Sequence, residues 1–136
     1  MFFEMHENQN YSPCLNETAQ FEYITQEGLR HARQYAEPLS LLRICVSEKT
    51  TDFAKVILRF ALRETDVAAI IDSSNFVVLL PATDFYEATV VAEKLRSFLE
   101  MSIGVASLND EPHSLMQRAE QALLKAMVRG GNRVCF

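Results

Sequence analysis

The chain has 136 residues and a formal net charge of −5. This length suits one domain with a buried core, and the acidic balance argues against nucleic acid or an anionic membrane as the main partner. No apolar run is long enough to insert across a bilayer. The three cysteines and three histidines are scattered without a metal-ligand spacing, so we predict a reduced, cytoplasmic protein that uses no metal and no cofactor.

The character of the sequence changes near residue 17. Residues 1–16 are polar and aperiodic, and they predict a flexible N-terminal arm. Residues 17–136 predict one domain. That domain opens with apolar residues at steps of three to five over Glu17–Ala36, which indicates a helix, and Pro38 ends it.

The next elements alternate between strand and helix patterns. Leu39–Val46 is a short apolar run that is typical of a strand. Thr50 or Thr51 is suited to cap the following helix, whose predicted buried stripe is Phe53, Val56, Ile57 and Phe60. Val67–Ile71 and Phe76–Leu80 are rich in branched residues and flank four turn-forming residues, which predicts a β-hairpin.

The second half of the chain continues this alternation. Asp84 and Glu87 have the spacing of a helix capping box. Four more elements are predicted as helix, strand, helix and edge strand, over residues 84–99, 101–106, 110–128 and 132–136. The order contains a βαββαβ unit, so the predicted fold class is α+β, a ferredoxin-like or palm-type core with a central antiparallel sheet and an N-terminal helix.

The hairpin and its flanks carry a motif. It reads R-x-x-D over Arg63–Asp66, a short strand, the five residues Asp72-Ser73-Ser74-Asn75-Phe76, and a strand that ends in Leu80-Pro81. This frame resembles the signature segment of the GGDEF family, the diguanylate cyclases, which reads R-x-x-D, a strand, G-G-[DE]-E-F and a strand ending L-P. Of the five signature positions, only Phe76 matches.

Other segments extend the resemblance over nearly the whole chain. Ser102–Ala106 is the family's S-I-G-V-A strand unchanged. Four more segments, in the family's order, are similar to its opening helix and strand, its V-A-E-x-[LI]-R helix, its R-A-D-x-A-L segment and its G-x-N-x-V segment: Phe21–Leu42, Val91–Arg96, Arg118–Leu123 and Gly130–Val134. The resemblance implies a palm-type fold, in agreement with the predicted order of elements.

The residues to which the resemblance assigns cyclase chemistry are replaced or missing. The family's first metal-binding aspartate falls at Cys45, and cysteine is a poor ligand for Mg²⁺. The signature acids fall at Ser74 and Asn75, neither of which carries a negative charge. The phosphate-binding lysine falls at Met127, and the guanine-reading segment after the first strand is missing. We therefore expect a degenerate GGDEF-like domain that is not an enzyme, since phosphoryl transfer depends on metal and cation placement.

The R-x-x-D motif is where the family has its inhibitory site for the product, cyclic di-GMP. The resemblance places the arginine at Arg63, whose fork would bind guanine or phosphate, and the aspartate at Asp66, which would accept from guanine N–H groups. Lys94 falls where some members carry a second arginine, and lysine keeps the charge but loses the fork. The alternative interpretation is an inherited surface ion pair, which contributes little to stability.

Two functions of different classes follow from these observations. The first is a catalytically inactive signalling module that binds cyclic di-GMP through Arg63 and Asp66, helped by Lys94, and passes the signal to a protein partner. The second is a ligand-independent adaptor or dimerisation domain. In both cases the resemblance implies that a partner or a second copy binds at the N-terminal arm and helix, where family members join other modules. Cyclase or GTPase activity is a formal third option.

Overall fold

The computed structural model describes residues 2–4, 17–109 and 114–136. Within these ranges the chain forms six strands and four helices. In chain order they are β1 Phe2–Glu4, α1 Glu17–Tyr35, β2 Leu39–Cys45, α2 Thr51–Ala61, β3 Val67–Ile70, β4 Asn75–Pro81, α3 Phe85–Phe98, β5 Ser102–Ser107, α4 Leu115–Val128 and β6 Val134–Cys135.

The strands form one sheet in the order β1-β3-β4-β2-β5-β6. The central strand β2 pairs antiparallel with β4 and with β5, and β3 pairs antiparallel with β4. The two short edge strands pair in parallel, β1 with β3 and β6 with β5. The predicted α+β class, with a βαββαβ core, an antiparallel centre and an N-terminal helix, is confirmed.

Side chains alternate between the two faces of the sheet, as the twofold period of a strand requires. In β2, Leu42 and Ile44 belong to the core cluster on one face, with buried residues of α2 and α3. Leu39 and Leu41 belong to the cluster on the other face, with buried residues of α1 and α4. The sheet is therefore covered by helices on both faces, and the connections at its ends are the places where functional side chains reach solvent.

Helix α4 lies directly on β5 at Gly104. A Cβ atom added to Gly104 would meet the backbone nitrogen of Leu123 and the carbonyl oxygen of Ala119, and it would lie 2.8 Å from the carbonyl carbon of Ala122. These are backbone atoms of a helix, so they cannot swing aside as the end of a side chain would. The glycine therefore sets how closely α4 packs on the sheet.

The helix caps agree with prediction at one helix and differ at another. Asp84 and Glu87 form the predicted capping box at the start of α3. The last helix was predicted to begin at Asp110, but α4 begins at Leu115, and Ser114 caps it. Residues 110–113 lie outside the described ranges. Ser114 and Gln117 have the S-x-x-Q spacing of a capping box, which is a local signal in the sequence for this helix start.

Helix α2 presents a different face to the sheet from the one predicted. Its buried residues are Ala54, Ile57 and Leu58. The predicted stripe is wrong in three of its four members, which are exposed: Phe53, Val56 and Phe60. Residues 54, 57 and 58 also have helical spacing, so the helix has two apolar stripes that share Ile57, and the one containing the small Ala54 packs closely on the sheet.

The start of α2 also differs from its prediction. A single 3-10 turn, Glu48–Thr50, precedes the helix, and the Ser47 hydroxyl accepts from the Lys49 N–H there. Thr50 makes no side-chain capping bond, and the Thr51 hydroxyl donates to the Glu48 carbonyl. Neither threonine has the capping role predicted for it.

The N-terminal segment contains a strand that the sequence analysis did not predict. Phe2–Glu4 pairs in parallel with β3, with Phe2 opposite Ala68. This finding replaces the flexible arm for these three residues, while residues 5–16 of the predicted arm lie outside the described ranges. Within those ranges, no helix combines the length and the apolar character needed to span a bilayer.

Candidate functional site

The R-x-x-D motif forms the turn between α2 and β3. The helix ends at Ala61, Leu62 is extended, and the Asp66 N–H donates to the Arg63 carbonyl at 3.0 Å. Strand β3 then begins at Val67. The turn brings the two side chains of the motif together, as the sequence predicted.

Arg63 and Asp66 form a forked ion pair. The Arg63 Nη2 donates to Asp66 Oδ1 at 3.0 Å, and Nε donates to Oδ2 at 3.3 Å. The backbone N–H of Arg63 also donates to Oδ2, at 2.9 Å. The hydrogen bond with Asp66 raises the pKa of the Arg63 guanidinium further above its usual value. This geometry fixes the guanidinium plane relative to the turn.

The guanidinium nitrogen that donates to Asp66 Oδ1 also contacts the connection after β4. Arg63 Nη2 donates to the Pro81 carbonyl at 3.0 Å and to the Thr83 hydroxyl at 2.6 Å. Thr83 is buried, and its own hydroxyl donates to the Pro81 carbonyl at 2.8 Å. The arginine therefore ties the end of α2 to the connection between β4 and α3.

The two partners differ sharply in exposure. The Asp66 side chain is 3% exposed, while that of Arg63 is 53% exposed. Both line a hollow of about 250 Å³ whose wall also includes Phe2, Arg59, Glu64 and Ala68. Asp66 thus holds the arginine from a buried position, and the more exposed Arg63 side chain forms part of the wall of the hollow.

The structure does not bring Lys94 to this hollow. Lys94 is exposed on α3, and it is not among the residues that form the wall. Its place in a ligand site stays a prediction from the sequence.

The signature turn between β3 and β4 is closed on itself. Asp72 Oδ1 accepts from the backbone N–H groups of Ser74 at 2.9 Å and Asn75 at 3.0 Å. The Asn75 amide donates to both Asp72 carboxylate oxygens, at 2.9 and 3.1 Å. These bonds, led by the one from the Ser74 backbone, lower the pKa of Asp72. At this turn the aspartate is a structural acceptor.

The signature turn is also tied to the start of α2. The Thr51 hydroxyl donates to the Ser73 carbonyl, and the Ser73 hydroxyl donates to Glu48 Oε1 at 3.1 Å. The Val46 N–H donates to the Ser74 carbonyl at 2.8 Å. The short connection after β2 therefore packs against the turn and occupies part of the space beside it.

A larger hollow of about 510 Å³ lies near this end of the sheet, where the resemblance places the cyclase site. Its wall includes Cys45, Thr50, Gly130 and Asn132, and Glu100 is the one charged residue of the wall. Burial is the main cause that raises the pKa of the Cys45 thiol. Among the described residues, no group of three His, Cys, Asp or Glu side chains is placed to hold a metal ion. This wall supplies neither a cation for a triphosphate nor a set of carboxylates for Mg²⁺.

Asp72→Ala is expected to lower the free energy of unfolding by about 1 kcal/mol at neutral pH, because the turn loses its hydrogen-bond acceptor. Folding lowers the pKa of Asp72, so its contribution is present above the usual aspartate pKa and is lost as pH falls through the lower folded value. Urea unfolding should therefore show the difference from the unmodified protein shrinking as pH falls below about 4, the usual pKa of an aspartate. Glu120→Gln, an exposed site on α4, is the control, and a difference independent of pH would contradict this role.

The hollow beside Arg63 contains residues that the sequence analysis did not select. Arg59 lies four residues before Arg63, but α2 ends at Ala61 between them, so helical spacing does not predict that the two side chains lie together. Phe2 reaches the hollow through the pairing of β1 with β3, a contact for which the sequence gives no local signal.

Comparisons with known proteins give relatives that are longer than this chain. No family model matches the chain. It is 35% identical over 97 residues to the uncharacterized protein YhcK of Bacillus subtilis, covering 58% of this chain and 27% of that protein. It is 32% identical over 95 residues to diguanylate cyclase A of Treponema denticola, covering 57% of this chain and 26% of that protein. The chain thus spans about a quarter of the length of these curated relatives.

Solved structures show the same arrangement of elements. The GGDEF domain of DgcB from Caulobacter crescentus, in complex with cyclic di-GMP, has a TM-score of 0.78 at 16% identity, over 85% of this chain and 86% of that chain. The GGDEF domain of PA1120 (YfiN or TpbB) from Pseudomonas aeruginosa has a TM-score of 0.77 at 23% identity, over 86% of this chain and 92% of that chain.

A third similar structure is a complex of two proteins. It is diguanylate cyclase SiaD with its activator SiaC, from Pseudomonas aeruginosa, with a TM-score of 0.71 at 21% identity, over 88% of this chain and 57% of that chain. Together, the structural comparisons show that this chain has the fold of GGDEF domains.

Proposed function

We propose that the protein is a non-catalytic signalling module on the GGDEF fold that binds cyclic di-GMP through Arg63. The observation that carries the proposal is the state of that side chain. Its guanidinium is fixed by Asp66, Pro81 and Thr83, yet the side chain is 53% exposed at the edge of a hollow. A guanidinium that is already held in place loses little freedom when its remaining N–H donors bind guanine or phosphate.

Asp66 has a supporting role in this proposal. Both of its oxygens accept from Arg63, and its side chain is 3% exposed. Its main contribution is to orient Arg63, so an acceptor for guanine N–H groups would come from Glu64, which is exposed in the same wall.

The absence of cyclase activity is part of the same proposal. The signature turn uses Asp72 and Asn75 to satisfy its own backbone, and the neighbouring hollow contains Glu100 as its charged residue. Two GTP molecules with their Mg²⁺ ions would need cations and carboxylates at these positions.

A second candidate is a ligand-independent adaptor, and a specific surface favours it. The exposed side chains of Phe53, Val56 and Phe60 recur at helical spacing along α2. Tyr23 and Tyr35 are exposed on α1, the helix at which the sequence predicted a partner. Exposed apolar side chains in a row are typical of surfaces that bind another protein.

Titration calorimetry with cyclic di-GMP distinguishes the two candidates. We expect binding with a Kd on the order of micromolar or tighter. A micromolar Kd corresponds to a binding free energy of about −8 kcal/mol. Arg63→Ala should abolish the heat, while Arg63→Lys, which keeps the charge without the fork, should weaken binding at least tenfold. Arg129→Ala, an exposed arginine after α4, should bind as the unmodified protein does.

GTP with Mg²⁺ is the parallel titration, and its products should be analysed. Formation of cyclic di-GMP from GTP would contradict the non-catalytic part of the proposal. No heat with cyclic di-GMP, from a protein shown to be folded by circular dichroism, would remove the receptor function and favour the adaptor.

A further inference from the structure

The hollow beside Arg63 has a second arginine and an aromatic ring in its wall. Arg59 comes from α2, and Phe2 comes from β1. The Arg59 guanidinium carbon lies 5.1 Å from the centroid of the Phe2 ring. We propose that Arg59 and Phe2 complete the nucleotide site with Arg63, and that a bound ligand holds β1 on the sheet. This inference rests on the proposed function and deepens it.

The charges in the wall define the ligand that would fit. Arg59 and Arg63 are balanced by Glu64 and Asp66, so the wall as a whole is neutral. Asp66 is already paired with Arg63. A free phosphate would find no net positive charge there, whereas a purine with both donor and acceptor edges would find partners for each. The two guanidinium planes and the ring add flat surfaces on which a base stacks.

The volume of the hollow suits one half of a cyclic dinucleotide. Its volume of about 250 Å³ lies just below the roughly 300 Å³ at which pockets for drug-sized ligands begin. One guanylate unit of a cyclic dinucleotide would enter it, and the second unit would extend over the exposed end of α2.

Phe2 belongs to the wall only when β1 is paired with β3. Phe2 is opposite Ala68 in the register of β1 with β3, and both residues line the hollow. Phe2 also packs against the core cluster beneath α2. A ligand that contacts Phe2 and Arg63 binds the docked state of β1 more tightly than an undocked state, so it shifts that equilibrium toward docking. The N-terminal strand would then report occupancy to whatever precedes or contacts it.

The experiment measures cyclic di-GMP and GMP binding by calorimetry for Phe2→Ala and Arg59→Ala. We expect each variant to bind cyclic di-GMP about tenfold more weakly, as loss of a charged hydrogen bond or a stacking partner would produce. Leu124→Ala, exposed on α4 and outside the wall, is the control and should leave the affinity unchanged. Circular dichroism checks that each variant is folded.

Hydrogen exchange at residues 2–4 and 67–70 is the second readout. Saturating ligand should slow exchange there in the unmodified protein, and the slowing should be absent in Phe2→Ala. Unchanged exchange on binding would overturn the coupling to β1.

The outcomes separate this inference from the proposed function. If Arg63→Ala abolishes binding while Phe2→Ala and Arg59→Ala bind normally, the function stands and the extended site is wrong. If cyclic di-GMP gives no heat but GMP binds and is lost in both variants, the site stands and the proposed function is wrong. If neither nucleotide binds, both are wrong.

Discussion

Gly104→Ala is expected to lower the free energy of unfolding by about 3 kcal/mol or more, enough to threaten folding altogether. The added methyl group would meet the backbone of α4 at Ala119, Ala122 and Leu123. Relief requires the helix to move away from the sheet, and that movement would open the core beneath it. Urea denaturation, or loss of the folded circular dichroism signal, measures the effect.

Gly28→Ala is the matched control, and it should raise the free energy of unfolding where Gly104→Ala lowers it. Gly28 lies within α1, and an added Cβ would lie 3.4 Å from Leu79 Cδ2, an ordinary contact with a movable atom. Alanine in the middle of a helix should raise the free energy of unfolding by about 0.5–1 kcal/mol. Destabilisation of similar size in both variants would show that the close approach at Gly104 is not the cause.

Arg63→Ala is expected to lower the free energy of unfolding by about 3 kcal/mol, although the arginine itself is half exposed. The loss comes from Asp66, a carboxylate that is 3% exposed and would lose both of its guanidinium bonds. Asp66→Ala should cost less, about 1–2 kcal/mol, because Arg63 is half exposed to water and keeps its bonds to Pro81 and Thr83.

A double-mutant cycle tests this asymmetry. The variant with both alanines should be more stable than Arg63→Ala alone, because it contains no buried carboxylate that has lost its guanidinium bonds. Additive losses would mean that the pair behaves as an exposed surface ion pair. Because Arg63→Ala is expected to be less stable, its loss of binding could come from unfolding. Arg63→Lys keeps a positive charge beside Asp66, so it is the second variant in the binding experiment.

Most of the fold could be predicted from local sequence patterns. The turn residues around Asp72, the capping pair at Asp84 and the apolar run of β2 are short-range signals that the structure bears out. The burial of α2 could not be predicted, since its two apolar stripes share Ile57 and only the tertiary packing selects between them. Strand β1 was missed because it pairs with residues more than sixty positions away.

The candidate site was predictable in part. The R-x-x-D spacing led to the convergence of Arg63 and Asp66, because both residues belong to one tight turn. The burial of Asp66 and the bond from Arg63 to Thr83 depend on the connection after β4, which the motif does not contain. Phe2 could not be predicted as a site residue, because it lies there only through the long-range pairing of β1 with β3.

The pairing of β1 also covers an apolar edge of the sheet. Behind it, Val67–Ile70 reads Val-Ala-Ala-Ile, four apolar residues that are all buried. If β1 left the sheet, this strand would present unpaired N–H and C=O groups along an uncharged apolar edge, which is a template for addition of another chain. The three residues of β1 therefore replace an apolar edge strand with a short one that ends in the charged Glu4.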